Sequence, residues 1–164
     1  MQIHIIYATF SSGTLSAAEY IQEVTSNLGH TCKIILVKDV QENDLKEPDL
    51  LIFGSPSWER DHFKHNGQPH YDFFPLFKKY GYDADAEQKK STLDLQNKPC
   101  AVFGLGDKKY PVFCGAVDIL ADFLTVSRAR IVSELLRIDG YYFHTPAAQE
   151  ALRKWLDQAL ISVK

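Results

Sequence analysis

Five short apolar runs recur along this chain with longer stretches of helical spacing between them: IHIIY (3–7), CKIILV (32–37), DLLIFG (49–54), CAVFG (100–104) and ARIVSELL (129–136). No other feature constrains the fold as much, because strands separated by helices pair in parallel and are covered by the helices that connect them. The DLLIFG and CAVFG runs are almost continuously apolar, as strands buried on both faces must be. Helices are predicted at about 13–28, where Ala17, Ala18, Ile21, Val24 and Leu28 follow spacings of three and four, at about 114–125, and at about 147–161 behind Pro146. The polar segment 38–48 has room for a turn of helix. The connection 59–99 is long and carries a helix near 72–80. Its tail, YDADAEQKKSTLDLQNK (82–98), reads as a solvated, loosely ordered insertion.

A chain of 164 residues suits one domain, here 1–164. With 45% hydrophobic and 24% charged residues it reads as soluble and globular, and 18 Lys and Arg against 21 Asp and Glu create no basic field for nucleic acid. Cys32, Cys100 and Cys114 are widely spaced and contain no CxxC pair, so neither a disulfide framework nor a zinc knuckle is expected. A reducing, cytoplasmic setting fits these cysteines, and no run approaches the length that spans a bilayer.

In a parallel sheet the C-terminal strand ends share one edge, and ligands bind where the connections diverge there. Three junctions at that edge are unusual: TFSSGT (9–14), SPSWERD (55–61) and GLGDKKYPVFCG (104–115). A helix starting near Ser12 would leave its first N–H groups free and partially positive, an anion site that needs no cationic side chain. Thr9, Ser11, Ser12 and Thr14 could donate to phosphate oxygens, and Gly13 allows close approach or a positive φ. The competing reading is that Ser11 or Ser12 merely caps the helix. The chain lacks the lysine of a nucleoside triphosphatase loop and the GxGxxG of a dinucleotide fold. Trp58 and Tyr110, each ordinary packing if taken alone, together suggest a flat aromatic ring held beside the phosphate.

At this point the chain resembles the flavodoxin family. The resemblance runs over nearly the full length, from IHIIYATFSSGT through DLLIFGSPSW and FFPLFKKY to CAVFGLGDKKYPVFCGAVDIL and ELLRIDG, and GLGDKKYPVFCGAVD is the most specific part. It implies a three-layer α/β/α sandwich with a five-stranded parallel sheet in the order 2-1-3-4-5 and FMN between the first and third strands. That order belongs to the resemblance and not to the spacing. It also implies that Thr9, Phe10, Ser11, Ser12, Gly13 and Thr14 surround the FMN phosphate. Trp58 would stack on one face of the flavin and Tyr110 on the other. Ser55, Pro56, Ser57 and Glu59 from one junction, and Gly104, Leu105, Gly106, Asp107, Phe113 and Cys114 from the other, would frame the ring. No catalytic residue and no metal is expected.

The implied function is one-electron transfer between a low-potential donor reductase and acceptor enzymes, by a monomer with no membrane or nucleic-acid partner. A phosphate held by neutral donors keeps its charge and disfavours a second negative charge on the ring, so a low potential is expected. The alternatives are a quinone or flavin reductase of similar fold, and a dedicated activator of one redox enzyme, which the Lys108–Lys109 pair keeps open.

The chain also departs from the family pattern. The phosphate-loop glycine is displaced by one position, to Gly13. Glu59 stands where many members have glycine, so a positive φ there costs more and a less stabilised one-electron-reduced flavin is expected. His62, His65 and His70 could suggest a metal, but a solvated loop is the preferred reading. Cys114 is expected to pack beneath its loop as a small buried residue. ARIVSELLRIDG reads as an uninterrupted last strand, the short-chain form of the family.

Overall fold

A computed structural model describes residues 1–58 and 67–163, with Trp58 described through its backbone. Strands β1 (Gln2–Tyr7), β2 (Thr31–Leu36), β3 (Leu50–Trp58), β4 (Gln68–Pro69), β5 (Pro99–Gly106), β6 (Arg130–Ile131) and β7 (Leu136–Asp139) alternate with helices α1 (Gly13–Asn27), α2 (Glu42–Lys46), α3 (Phe74–Lys79), α4 (Ala116–Val126) and α5 (Thr145–Val163). The parallel sheet runs β2-β1-β3-β5, with β6 and β7 both paired to β5 in the fifth position. The expected order is therefore the observed one, with the short antiparallel β4 added beside the end of β3.

Period-two alternation divides the strands between two cores. Leu50, Ile52, Ala101 and Phe103 join the cluster under α1 and α5, with Ile21, Leu152 and Trp155. Leu51, Phe53, Cys100 and Val102 face the other way, into the cluster of Phe77, Leu120 and Phe123 from α3 and α4. Three layers result, and the near-continuous apolar runs are explained because both faces of the central strands are covered. Helix α1 stops where Gly29 takes a φ of 79°: the Gly29 N–H donates to Ser26 O and the His30 N–H to Thr25 O, a Schellman ending that turns the chain into β2.

Two expectations are corrected. The last strand is interrupted. Cys100 pairs with Ile131 and Phe103 with Leu136, so the fifth position advances five residues while β5 advances three. The surplus is absorbed in 132–135, where the Trp155 indole N–H donates to the Glu134 carbonyl at 2.8 Å. No long insertion is present there, in keeping with the short-chain form.

The tail 82–98 is not a loose insertion either. Tyr82, Leu93 and Leu95 are buried in the cluster of α3 and α4, and the Leu95 and Asn97 N–H groups donate to the Ser127 and Arg128 carbonyls. Lys89 pairs with Asp122, and Arg128 with Asp94, along the same seam. Its polar composition hid three anchoring side chains. Among the described residues, no helix is long and apolar enough to cross a membrane.

Candidate functional site

At the C-terminal edge of the sheet a cavity of about 460 Å³ opens between the β1–α1 junction, the end of β3, the β5–α4 loop and the β7–α5 loop. That volume lies within the usual range for a small-molecule site. Three of these four elements are the junctions singled out in the sequence, and parallel pairing brings them to one edge.

The β1–α1 junction begins with the Ala8 N–H donating to the Gly54 carbonyl, which ties it to β3. Ser12 then adopts a left-handed conformation with φ 64°, and the helix starts at Gly13. The capping alternative fails here: Ser12 is the N-cap by position, but its side chain makes no capping hydrogen bond. The positive φ therefore falls on Ser12 and not on the displaced glycine. Gly13 serves close approach instead, since a Cβ there would lie 3.2 Å from Leu105 Cδ1.

The first intrahelical acceptor in this turn is the Ser12 carbonyl, reached by the Ser16 N–H, so the N–H groups ahead of Ser16 have no intrahelical partner. The hydroxyls of Thr9 and Thr14 are buried without a hydrogen-bond partner, and Thr14 is only 1% exposed. Buried hydroxyls are rarely left in that state. Two of them beside an uncapped helix start, both on the cavity wall, form a donor set suited to a multivalent anion such as phosphate. Among the described lining residues there is no Lys, Arg or His, and Asp107 is the one carboxylate.

The end of β3 is braced on both sides. Buried Ser55 donates its hydroxyl to the Pro56 carbonyl and accepts the His70 N–H, while Ser57 Oγ accepts the Ala116 N–H at the start of α4. Pro56 and Ser57 line the cavity. Glu59, His62 and His65 lie outside the described residues, as does the Trp58 side chain. His70 is buried, and its Nδ1 accepts the Asp72 N–H at 3.2 Å. Burial pushes its pKa down, with Asp72 opposing, so the neutral ring is favoured.

In the β5–α4 loop, Asp107 accepts the Lys109 N–H and Asp139 accepts the Lys108 N–H, which fixes the turn that presents Tyr110 as an exposed ring at the cavity mouth. The Lys108 ammonium lies 5.7 Å from the centre of the Phe113 ring, which does not itself line the cavity. Cys114 sits at the cavity base with φ 52° and is fully buried. Its thiol faces the Gly104 and Ile138 carbonyls, burial pushes its pKa up to about 12, and Arg137 donates to its carbonyl at 2.9 Å. It is a packing residue that clasps the ends of two strands. Gly104 lies behind it, where a Cβ would meet Val117 at 2.5 Å.

Of the residues singled out in the sequence, the cavity wall therefore contains Thr9, Phe10, Ser11, Gly13 and Thr14 from the first junction, with Pro56 and Ser57 from the second. Leu105, Gly106, Asp107, Tyr110 and Cys114 come from the third. Ser12, which is exposed, the partly exposed Phe113, and the buried Ser55 and Gly104 are not among the lining residues. Sequence reasoning missed Gly140, Tyr141, Tyr142 and Phe143, which follow β7 and line the cavity, with Tyr142 against the β1–α1 junction. The signal was present: an aromatic triplet after a glycine, at the end of the last strand, where the strand-end rule applies as it does to the other three. Gly67 and Val112 were missed as well and carried no comparable signal.

The flavodoxin family model matches residues 5–155 of the chain. A flavodoxin from Maridesulfovibrio salexigens is 33% identical over 137 residues, which cover 83% of this chain and 84% of the relative. The crystal structure of oxidised flavodoxin 2 from Bacillus cereus superposes with a TM-score of 0.74 at 27% identity, covering 99% of this chain and 97% of that one. A short-chain flavodoxin associated with a bacterial microcompartment shares the fold, with a TM-score of 0.81, 19% identity and coverage of 100% and 99%.

Proposed function

The chain belongs to the flavodoxin family, and from that premise we propose that it is a free-standing shuttle passing low-potential electrons from a reductase to redox enzymes. It binds FMN and transfers electrons; turnover of a substrate of its own is not its role. In this reading residues 1–164 act as one FMN-binding domain.

The observation that carries the site assignment is the pair of unpartnered buried hydroxyls, Thr9 and Thr14, beside the uncapped start of α1. These hydroxyls, those of Ser11 and Ser12 and the first N–H groups of the helix would donate to the phosphate oxygens. Pro56 and Ser57 on one side, and Leu105, Gly106 and Asp107 on the other, would frame the ring, with Tyr110 covering one face. Trp58 and Glu59 complete the ring site through the family resemblance. Once bound, FMN supplies one-electron exchange.

A low potential is supported by the neutral donor set. With no cationic side chain among the described lining residues, the phosphate charge stays largely uncompensated, and the carboxylate of Asp107 and the apolar walls oppose further negative charge on the ring. Partners would be a donor reductase and a low-potential acceptor, met by a monomer in the cytoplasm. The three cysteines without disulfides fit a reducing compartment.

The test is stepwise photoreduction of the purified, FMN-reconstituted protein followed by absorption. One flavin per chain, two resolved reduction steps and negligible oxidation of nicotinamides are expected. A protein that takes up no FMN would overturn the reading, and rapid nicotinamide oxidation by the isolated protein would favour a reductase.

A further inference from the structure

We propose that Tyr142, in the β7–α5 loop, is a positioning residue that latches the phosphate loop, holding the Ser11–Ser12 peptide in the orientation an anion requires. The inference rests on the functional reading above.

Ser12 occupies the left-handed region with φ 64°, a conformation that L-residues other than glycine resist, and no side-chain cap holds it there. Such a conformation persists only where its surroundings over-determine it. The Tyr142 hydroxyl supplies the constraint: it donates to the Ser11 carbonyl at 2.9 Å across 131 positions of sequence. The described residues contain no cis peptide, so the Ser11 carbonyl and the Ser12 N–H point in opposite directions from one plane. Holding the carbonyl therefore aims the N–H. The same ring lies against the next residue, since a Cβ on Gly13 would come within 3.4 Å of Tyr142 Cε2. Hydroxyl and ring thus grip two successive residues at the point where the backbone turns into α1.

Tyr142 is itself anchored. Gly140 takes a φ of 51° and donates its N–H to the Gly106 carbonyl, and the Phe143 and His144 N–H groups both return to the Gly140 carbonyl. The buried ring of Tyr141 meets Tyr142 edge-on, with centroids 5.7 Å apart. The latch is therefore mounted on the end of β5, and it ties the phosphate loop to the loop that carries Asp107 and Tyr110.

The experiment compares wild-type and Tyr142→Phe apoproteins. The substitution keeps the ring against Gly13 and removes only the donor, and thermal melting checks that the variant is folded. Fluorescence titration is expected to show FMN affinity lowered about 3- to 10-fold, the size of one modest hydrogen bond. Affinity for riboflavin, which lacks the phosphate, should be unchanged. In parallel, NMR order parameters of the Ser12 and Gly13 amides in the apoprotein are expected to fall in the variant. An unchanged FMN-to-riboflavin ratio, or unchanged order parameters, would overturn the latch. Wild-type protein with no preference for FMN over riboflavin would instead overturn the phosphate-site reading, and the order parameters would still decide the latch.

Discussion

The ring of Phe103 fills the space that a side chain on Gly54 would need: a Cβ at position 54 would fall 2.3 Å from Phe103 Cζ, and the two residues are partners across β3 and β5. Glycine is thus required one residue before the Ser55 turn, because its neighbour's ring lies over the strand. Gly54→Ala is expected to cost about 1–3 kcal/mol through overpacking, read as a lower urea midpoint of the apoprotein. In the double variant Gly54→Ala/Phe103→Leu the loss should be smaller than the sum of the two single losses. Strict additivity would mean the ring is not the obstacle.

Ser12→Gly should raise apoprotein stability. A left-handed L-residue costs about 1–2 kcal/mol, and glycine returns about 0.5–1 kcal/mol of that as extra unfolded-state entropy, which leaves a small net gain. An increase of about 2–3 °C in the thermal midpoint is expected for a chain of this length. A lower midpoint would show that the serine side chain contributes more than its backbone angle costs.

Trp155 is buried, packs edge-on to Phe103 and donates its indole N–H to the Glu134 carbonyl at the interruption between β6 and β7. Trp155→Phe keeps an aromatic ring but loses that donor and some volume, so a destabilisation of about 1–3 kcal/mol is expected in chemical denaturation. Wild-type stability in the variant would mean that water satisfies the carbonyl equally well.

His70 makes stability depend on pH. Burial lowers its folded pKa below the unfolded value of about 6.5, with Asp72 opposing. Above that value both states are neutral and the group contributes nothing. Below it the unfolded chain binds a proton that the folded protein refuses, so stability falls with falling pH until the lowered folded pKa is reached. Urea midpoints at pH 7.5 and 5.5 should differ more for wild type than for His70→Asn. Equal differences would remove His70 as the cause.

Much of the site was legible because its signals are local. TFSSGT shows hydroxyls and a glycine where strand spacing changes to helical spacing, and GLGDKKYPVFCG shows a glycine-rich turn after an apolar run. The position of the positive φ was not legible: glycine tolerates such an angle, but the chain placed it on Ser12, where the Tyr142 hydroxyl holds the preceding carbonyl. The segment 82–98 was misread for a related reason. Its charges dominate its composition, while Tyr82, packed on Phe77 and Phe123, and Leu93 and Leu95 find their place only within the core cluster of α3 and α4.

Period and turn chemistry, properties of neighbouring residues, were enough to set the alternating strands and helices, the covered sheet and the three loops at its edge. Tertiary structure alone decided which carbonyl Tyr142 would hold, where the last strand would break and which indole would meet the break. Each of those outcomes joins residues far apart in sequence. Its free energy exists only after the sheet has brought them within hydrogen-bonding distance, so no local pattern records it.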